Sequence, residues 1–214
     1  AVPIDGVRSP IFQSVLRFAY GDVVPDEVWT TEKNGAGNDS ATEGALDASP
    51  ALELLDAANR FGVVPLKILA ETRVAAREIS VSNASSLILF ADSKNCALLK
   101  ERATDFFVQH AEEIRREKGW KEVQESASLL DELMEALLSK RILRSFSSST
   151  CGGEEEDDDV DYGSMGVNLL RRKLDKRRLD VDGSREMLIE RLERWDGRKK
   201  STPAEAAETI TEEA

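Results

Sequence analysis

The chain has 214 residues, of which 41% are hydrophobic and 33% charged, and its net charge is −12. That is enough apolar material for one or two packed domains, with a large solvated remainder. No apolar run approaches the roughly 18 residues of a membrane span, and two cysteines in unrelated settings do not make a disulfide framework.

Ala1 to Ile4 reads as a short strand. Ser9 can cap a helix with Pro10 at its first position, where the missing N–H costs nothing. Phe12, Val15, Leu16 and Ala19 then recur at helical spacing, and Ile11 and Phe18 widen the apolar face. A helix this apolar is expected to be buried on two sides. Residues 30–50 are Gly, Asn, Ser, Thr and acids, the composition of a disordered insertion. Ala51, Leu54, Leu55 and Ala58 restart the helical period, and Gly62 stops it. Pro65 opens the next helix, with Leu66, Ala70 and Val74 on one face. Ala84, Leu87, Ile88 and Ala91 form another stripe, Asp92 to Asn95 a turn, and Leu99, Ala103, Phe106, Phe107, His110 and Ile114 the return stripe. Loops this short imply antiparallel neighbours. After Gly119 and Trp120, a further helix presents Leu130, Leu133, Met134, Leu137 and Leu138.

The charge is unevenly placed. Residues 151–166 carry seven acids and no base, and residues 167–200 carry twelve bases against seven acids. A Ser/Gly-rich and then acidic stretch over 144–166 reads as a flexible linker, with Cys151 in it. The basic island behind it suggests an anionic partner for that island alone. Within it, Val167, Leu170 and Leu174 share one helix face, residues 179–183 form a loop, and Leu188, Leu192 and Trp195 line a second helix that Ser184 can cap. The tail 199–214 is polar and expected to be disordered.

Four blocks carry a family likeness. IDGVRSPIFQSVLRFAYGD is similar to the strand–helix segment of BTB/POZ domains, and LELLDAANRFGVVPLKILAE resembles the helix pair that follows it. VSNASSLILFADSKNCALLKERATDFFVQHAEEI resembles the helical hairpin called the three-box, and GWKEVQESASLLDELMEAL the truncated BACK extension. The likeness is to the speckle-type POZ, or MATH–BTB, group and covers roughly residues 1–140. It implies a mainly α chain: the C-terminal part of an α+β BTB/POZ domain over 1–80, and three-box/BACK-like helices over 81–143. It also implies an adaptor that dimerises, binds a cullin-3-type scaffold and presents a ubiquitination substrate that the sequence does not name. The family's first strands, dimerising helix and hydrophobic-x-Glu loop would lie upstream of Ala1, so the chain, which lacks an initiator Met, reads as a fragment. Of the family's cullin surface only the three-box part, within 83–116, carries over. Leu98 and Arg102, on a face away from the stripes, are candidate contacts there. Leu133, Met134 and Leu137 are candidates for self-association, since an exposed Leu/Met patch seeks burial. Stripe positions themselves are expected to be core, and Trp120 a packing anchor.

VNLLRRKLDKRRLDVDGSREMLIERLERW resembles a SAP motif, a helix–loop–helix module that binds DNA, so residues 167–198 are expected to form a SAP-like unit. The matching positions are Leu170, Leu174, Leu179, Gly183, Leu188, Arg191 and Leu192. Arg178 departs from the Gly usual there, and must either adopt a left-handed cap at a cost or end the helix differently. The candidate nucleic-acid residues are Arg171, Arg172, Lys173, Lys176, Arg177, Gly183 and Arg185. The bases of the first helix are expected on its exposed side, giving salt-dependent phosphate contacts with little sequence choice.

Catalytic chemistry has no constellation to rest on. The single histidine, His110, falls on an apolar stripe with only Glu113 one turn on, too few ligands for a metal. There is no glycine-rich phosphate loop and no nucleophile beside a base. A non-enzymatic adaptor without cofactor is expected, in the nucleus or cytoplasm; the alternative is a nuclear nucleic-acid-binding or oligomerisation scaffold with no ligase role.

Overall fold

The structure is a computed structural model that describes residues 6–21, 24, 26–29, 49–146 and 161–200. The expected strand at Ala1–Ile4, the insertion up to residue 48, the acidic run with Cys151 and the tail from Ser201 lie outside the described residues. The described residues are mainly helical and contain no strand. Two compact units divide the chain, Ala1–Ser149 and Thr150–Ala214.

The first unit is built from α1 (Ser9–Gly21), α2 (Pro50–Arg60), α3 (Val64–Arg77), α4 (Ala84–Ser93), α5 (Ala97–Ile114), α6 (Trp120–Glu125) and α7 (Ala127–Phe146). Helix α2 packs on α1 and on α3, α3 on α5, and α4 on α5 and α6. Three adjoining apolar clusters result. Ile11, Val15 and Phe18 of α1 meet Leu54, Ala57 and Ala58 of α2 and Leu66 of α3. Leu52 and Leu55 meet Ala70, Val74, Leu87, Ala91 and Leu99. Ala84, Ile88, Ala103, Phe107 and Ile114 meet Trp120, Val123, Leu129 and Leu133. Trp120 stacks on Phe107 with ring centroids 5.1 Å apart and planes 7° from parallel.

The doubly buried helix is α2, not α1. Its Leu52 and Leu55 face one cluster and Leu54, Ala57 and Ala58 the other. In α1 the buried residues are Ile11, Ser14, Val15 and Phe18, whereas Leu16, Ala19 and Tyr20 are exposed. Both stripes are apolar; packing against α2 and α3 selects one. The hydroxyl of Ser14, buried with that stripe, donates to the Pro10 carbonyl at 2.9 Å.

Helix ends are closed by specific groups. Ser49 caps α2 by accepting from the Leu52 N–H at 3.1 Å, with Pro50 at the helix start. The C-terminus of α2 closes on Gly62, at φ 68°, with Val63 N–H donating to the Ala58 carbonyl and Gly62 N–H to that of Asn59. Asn95, at φ 53°, closes α4 the same way, with the Cys96 N–H donating to Ala91 and its own to Asp92. Both are six-to-one closures that satisfy orphan carbonyls. The N-terminus of α5 has no side-chain cap of its own. Glu71 of α3, fully buried, supplies one, its Oε1 accepting from Leu98 N at 2.7 Å and Leu99 N at 3.0 Å. Lys67, one turn earlier on α3, donates to the Lys94 carbonyl at 3.1 Å.

Lys100 joins the α4–α5 hairpin to α7, with Nζ 2.8 Å from Asp92 and 2.6 Å from Glu132. Burial pushes its pKa down, but the hydrogen bonds and charges of the two carboxylates outweigh that and leave it raised. Helix α5 kinks at His110 (φ −120°, ψ 27°), whose ring packs on Phe106 and lies 3.5 Å from Glu113. The histidine sits half-exposed at the edge of the stripe, away from the cluster centre.

Candidate nucleic-acid interface

The second unit is a helix–loop–helix with a short N-terminal turn. A 3-10 turn, Tyr162–Ser164, leads into α8 (Val167–Lys176), a loop over 177–184, and α9 (Arg185–Lys200). Residues 161–166, placed in the linker by composition, therefore belong to this unit. Asp161 shapes the turn, accepting from the Gly163 N–H at 2.9 Å. Val167, Leu170 and Leu174 of α8 are fully buried, as are Leu188 and Leu192 of α9, with Tyr162 beside them at 5% exposure. So small a core needs further ties, and arginines provide them.

Arg171 is buried, not exposed as its helix position suggested, and its Nε donates to the Val181 carbonyl at 3.2 Å. From the other helix, Arg191 donates to the Asp180 carbonyl at 3.2 Å and to that of Asp182, and pairs with the Asp180 carboxylate at 3.0 Å. The loop is thus held from both sides. Arg185 donates to the Gly163 carbonyl at 2.5 Å and the Met165 carbonyl at 2.9 Å, tying α9 to the N-terminal turn. Arg177 lies 4.4 Å from the Trp195 ring centroid, pairs with Asp196 at 3.3 Å and donates to the Tyr162 hydroxyl at 3.2 Å. Tyr162 in turn donates to Asp196. Burial and the proton held by Asp196 push the Tyr162 phenol up from 10.0, and Arg177 pulls it part of the way back.

Three candidate phosphate-binding arginines, Arg171, Arg177 and Arg185, are therefore engaged within the fold. Gly183 is buried at φ 123°, where a Cβ would meet Met187 Sδ at 3.1 Å. Its role is the loop's backbone geometry. The remaining candidates, Arg172, Lys173 and Lys176, are exposed or half-buried. The sequence reading missed Tyr162, whose signal was an aromatic residue directly after an Asp that can shape a turn. It also missed the arginine–carbonyl ties, because side-chain length and reach are not written in spacing.

In the first unit Leu98 and Leu133 are 3% and 1% exposed, so neither is a contact surface. Leu98 sits under Glu71 at the start of α5, and Leu133 faces the Phe107–Trp120 cluster. Arg102 is exposed and Leu137 is partly buried against that same cluster, whereas Met134 and Leu138 are 51% and 56% exposed. A groove of about 710 Å³ runs between α1, α2 and the end of α4, floored by Ile11, Leu52 and Phe90. The charges on its rim pair internally, Arg8 with Glu53 and Lys94 with Asp56. Among the described residues, no group of three or more His, Cys, Asp or Glu side chains is placed to hold a metal ion, and no helix is long and apolar enough to cross a membrane.

Comparison with known proteins gives a family match within the second unit and similarity to a group of longer proteins. The SAP domain family matches residues 161–197, from the Asp161 turn to the end of the Arg177–Trp195–Asp196 cluster. The mouse (Mus musculus) TD and POZ domain-containing protein 2 is 36% identical over 104 residues, 48% of this chain and 28% of that protein. The mouse TD and POZ domain-containing protein 1 is 36% identical over 92 residues, 42% of this chain and 25% of its own length. The mouse TD and POZ domain-containing protein 4 is 36% identical over 78 residues, 36% of this chain and 21% of that protein. The matched segment thus spans about a quarter of these relatives' length, and is too long to lie inside the second unit. Residues 161–197 match the SAP domain family, and the chain is also similar to POZ-domain-containing proteins.

Proposed function

We propose that the chain is a non-enzymatic protein-interaction adaptor whose helical unit engages a cullin-3-type scaffold of a ubiquitin ligase and whose SAP domain holds it on duplex DNA. The observation that carries this is the pairing of a SAP domain with a helical unit akin to POZ proteins in one chain. Salt-dependent phosphate binding is the chemistry that unpartnered cations on a small rigid module support.

The test has two arms. Retention by immobilised cullin-3, with a known POZ adaptor run in parallel, addresses the scaffold. Absence of retention beside a retained control removes the ligase role. Duplex binding at low salt addresses the SAP domain, and charge reversal at Arg172, Lys173 and Lys176 is the appropriate variant. Reversal at Arg171 or Arg177 would unfold the domain instead. Equal binding by the triple variant removes the phosphate role.

A second reading, a homo-oligomeric scaffold, is favoured by α7, where exposed Met134 and Leu138 stand on one helix. Sedimentation of the whole chain decides it: a monomer at high concentration argues against self-association through α7.

A further inference from the structure

We infer that the last turn of α8 and the left-handed residue closing it form the phosphate grip of the SAP domain, with Arg178 as the residue that sets its affinity for duplex DNA. This rests on the nucleic-acid reading above and deepens it.

Among the described residues, three helices end in the same six-to-one closure. At α2 the left-handed residue is Gly62 (φ 68°) and at α4 it is Asn95 (φ 53°). Glycine takes that conformation freely, and asparagine is the side chain that tolerates it best. At α8 the Leu179 N–H donates to the Leu174 carbonyl at 3.0 Å and the Arg178 N–H to that of Asp175 at 2.9 Å, so the closing residue is Arg178, at φ 55°. Arginine has neither advantage. Its backbone is held in a costly conformation, and no hydrogen bond or ion pair of its side chain among the described residues accounts for that.

The side chains of the other arginines of the loop and its flanks, Arg171, Arg177, Arg185 and Arg191, are bound to carbonyls, carboxylates or rings of the domain. Arg178 is exposed, as are Arg172 and Lys176, while Lys173 is half-buried. None of these four side chains makes a hydrogen bond or ion pair among the described residues. These four cations therefore lie along the second half of α8 and the turn that closes it. Arg172 and Lys176 are one turn apart on the face opposite Leu170 and Leu174, and the exposed Arg178 lies in the turn beyond.

A helix C-terminus attracts cations through its dipole, which accounts for Lys173 and Lys176 in the last turn of α8. It does not account for a left-handed arginine after that turn, where glycine would close the helix without strain. A strained residue whose charged side chain has no partner among the described residues points to a ligand. A planar guanidinium with forked donors suits phosphate oxygens.

The test uses the full chain, a fluorescent mixed-sequence DNA duplex and a salt series, with Arg178→Gly and Arg178→Lys. Arg178→Gly relieves the backbone, so the thermal midpoint of the SAP unit should rise, yet duplex affinity should fall. Loss of one phosphate contact predicts an affinity about eightfold weaker at 0.1 M salt, and a log–log salt slope shallower by about 0.9. Arg178→Lys keeps the charge and the strained backbone, and should retain most of the wild-type slope. Wild-type affinity and slope in Arg178→Gly would overturn the inference while leaving DNA binding by the domain intact. No duplex binding by the wild type at low salt would instead remove the nucleic-acid reading on which the inference rests. Arg178-dependent binding to phosphatidylserine vesicles in place of duplex would reassign the patch to a membrane surface and overturn it as well.

Discussion

Replacing Glu71 by Ala should unfasten α5 from α3. Glu71 is 0% exposed, and its Oε1 accepts the N–H groups of Leu98 and Leu99 at 2.7 and 3.0 Å. Those amides belong to the first turn of α5 and have no acceptor within the helix. The carboxylate also faces the positive end of the helix dipole. In the alanine variant both buried donors lose their partner, and each orphaned group costs about 1–3 kcal/mol. Recovering part of the carboxylate's desolvation penalty offsets some of this, so the net loss should be roughly 3 kcal/mol. Glu71→Gln keeps an oxygen of similar reach and gives up only the charge assistance, a loss of about 1 kcal/mol. Urea unfolding followed by far-UV circular dichroism measures the difference, with an unchanged m-value marking a change in stability alone. Hydrogen exchange gives the local readout: the Leu98 and Leu99 amides should lose protection far more in Glu71→Ala than in Glu71→Gln. A loss below about 1 kcal/mol in the alanine variant, or equal losses in the two, would refute the cross-helix cap.

Arg177→Ala should remove the stack on Trp195, the ion pair with Asp196 and the bond to the Tyr162 hydroxyl together, costing about 2 kcal/mol or more in a unit with a small core. Exchange protection of α8 and α9 measures this, and Arg172→Ala, on an exposed side chain, should stay within about 0.5 kcal/mol of wild type. Trp120→Ala empties the place stacked on Phe107 and should cost about 3–5 kcal/mol, read as a lower urea midpoint of the first unit. The raised pKa of Tyr162 has a definite sign: the protonated phenol is favoured in the folded unit. Its contribution is present in full below the unfolded value of 10.0 and is lost as pH rises from there through the folded value. Alkaline unfolding of the SAP unit should therefore include a component that Tyr162→Phe abolishes, followed by circular dichroism across pH 9–12; an identical alkaline profile in the variant would count against it. Lys100 has the same sign, its contribution being lost as pH rises above 10.5.

Periodicity alone located the helices from Ala51 to Ile114, because Leu, Ala and Phe at three- and four-residue spacing leave one way to bury a face. Turn chemistry was equally legible. Gly62 and Asn95 are residue types that accept a left-handed backbone, and both close helices. The departure at Arg178 was visible too, and the structure resolves it in favour of the strained cap. What one-dimensional spacing could not decide was which of two apolar faces wins. Helix α1 offers both Phe12–Leu16–Ala19 and Ile11–Val15–Phe18, and only the second meets α2. Leu98 and Leu133 looked like surface because their neighbours in sequence did not show what packs over them in space.

Sequence by itself determined the kind of elements, their order, and the basic character of residues 167–200, since these follow from local spacing and from charge. Tertiary structure decided what each charge does. A buried arginine and a phosphate-facing arginine are the same letter. Side chains of their length reach carbonyls and rings brought close only by folding, which commits Arg171, Arg177, Arg185 and Arg191 to the domain. It leaves Arg172, Lys173, Lys176 and Arg178 without a partner among the described residues.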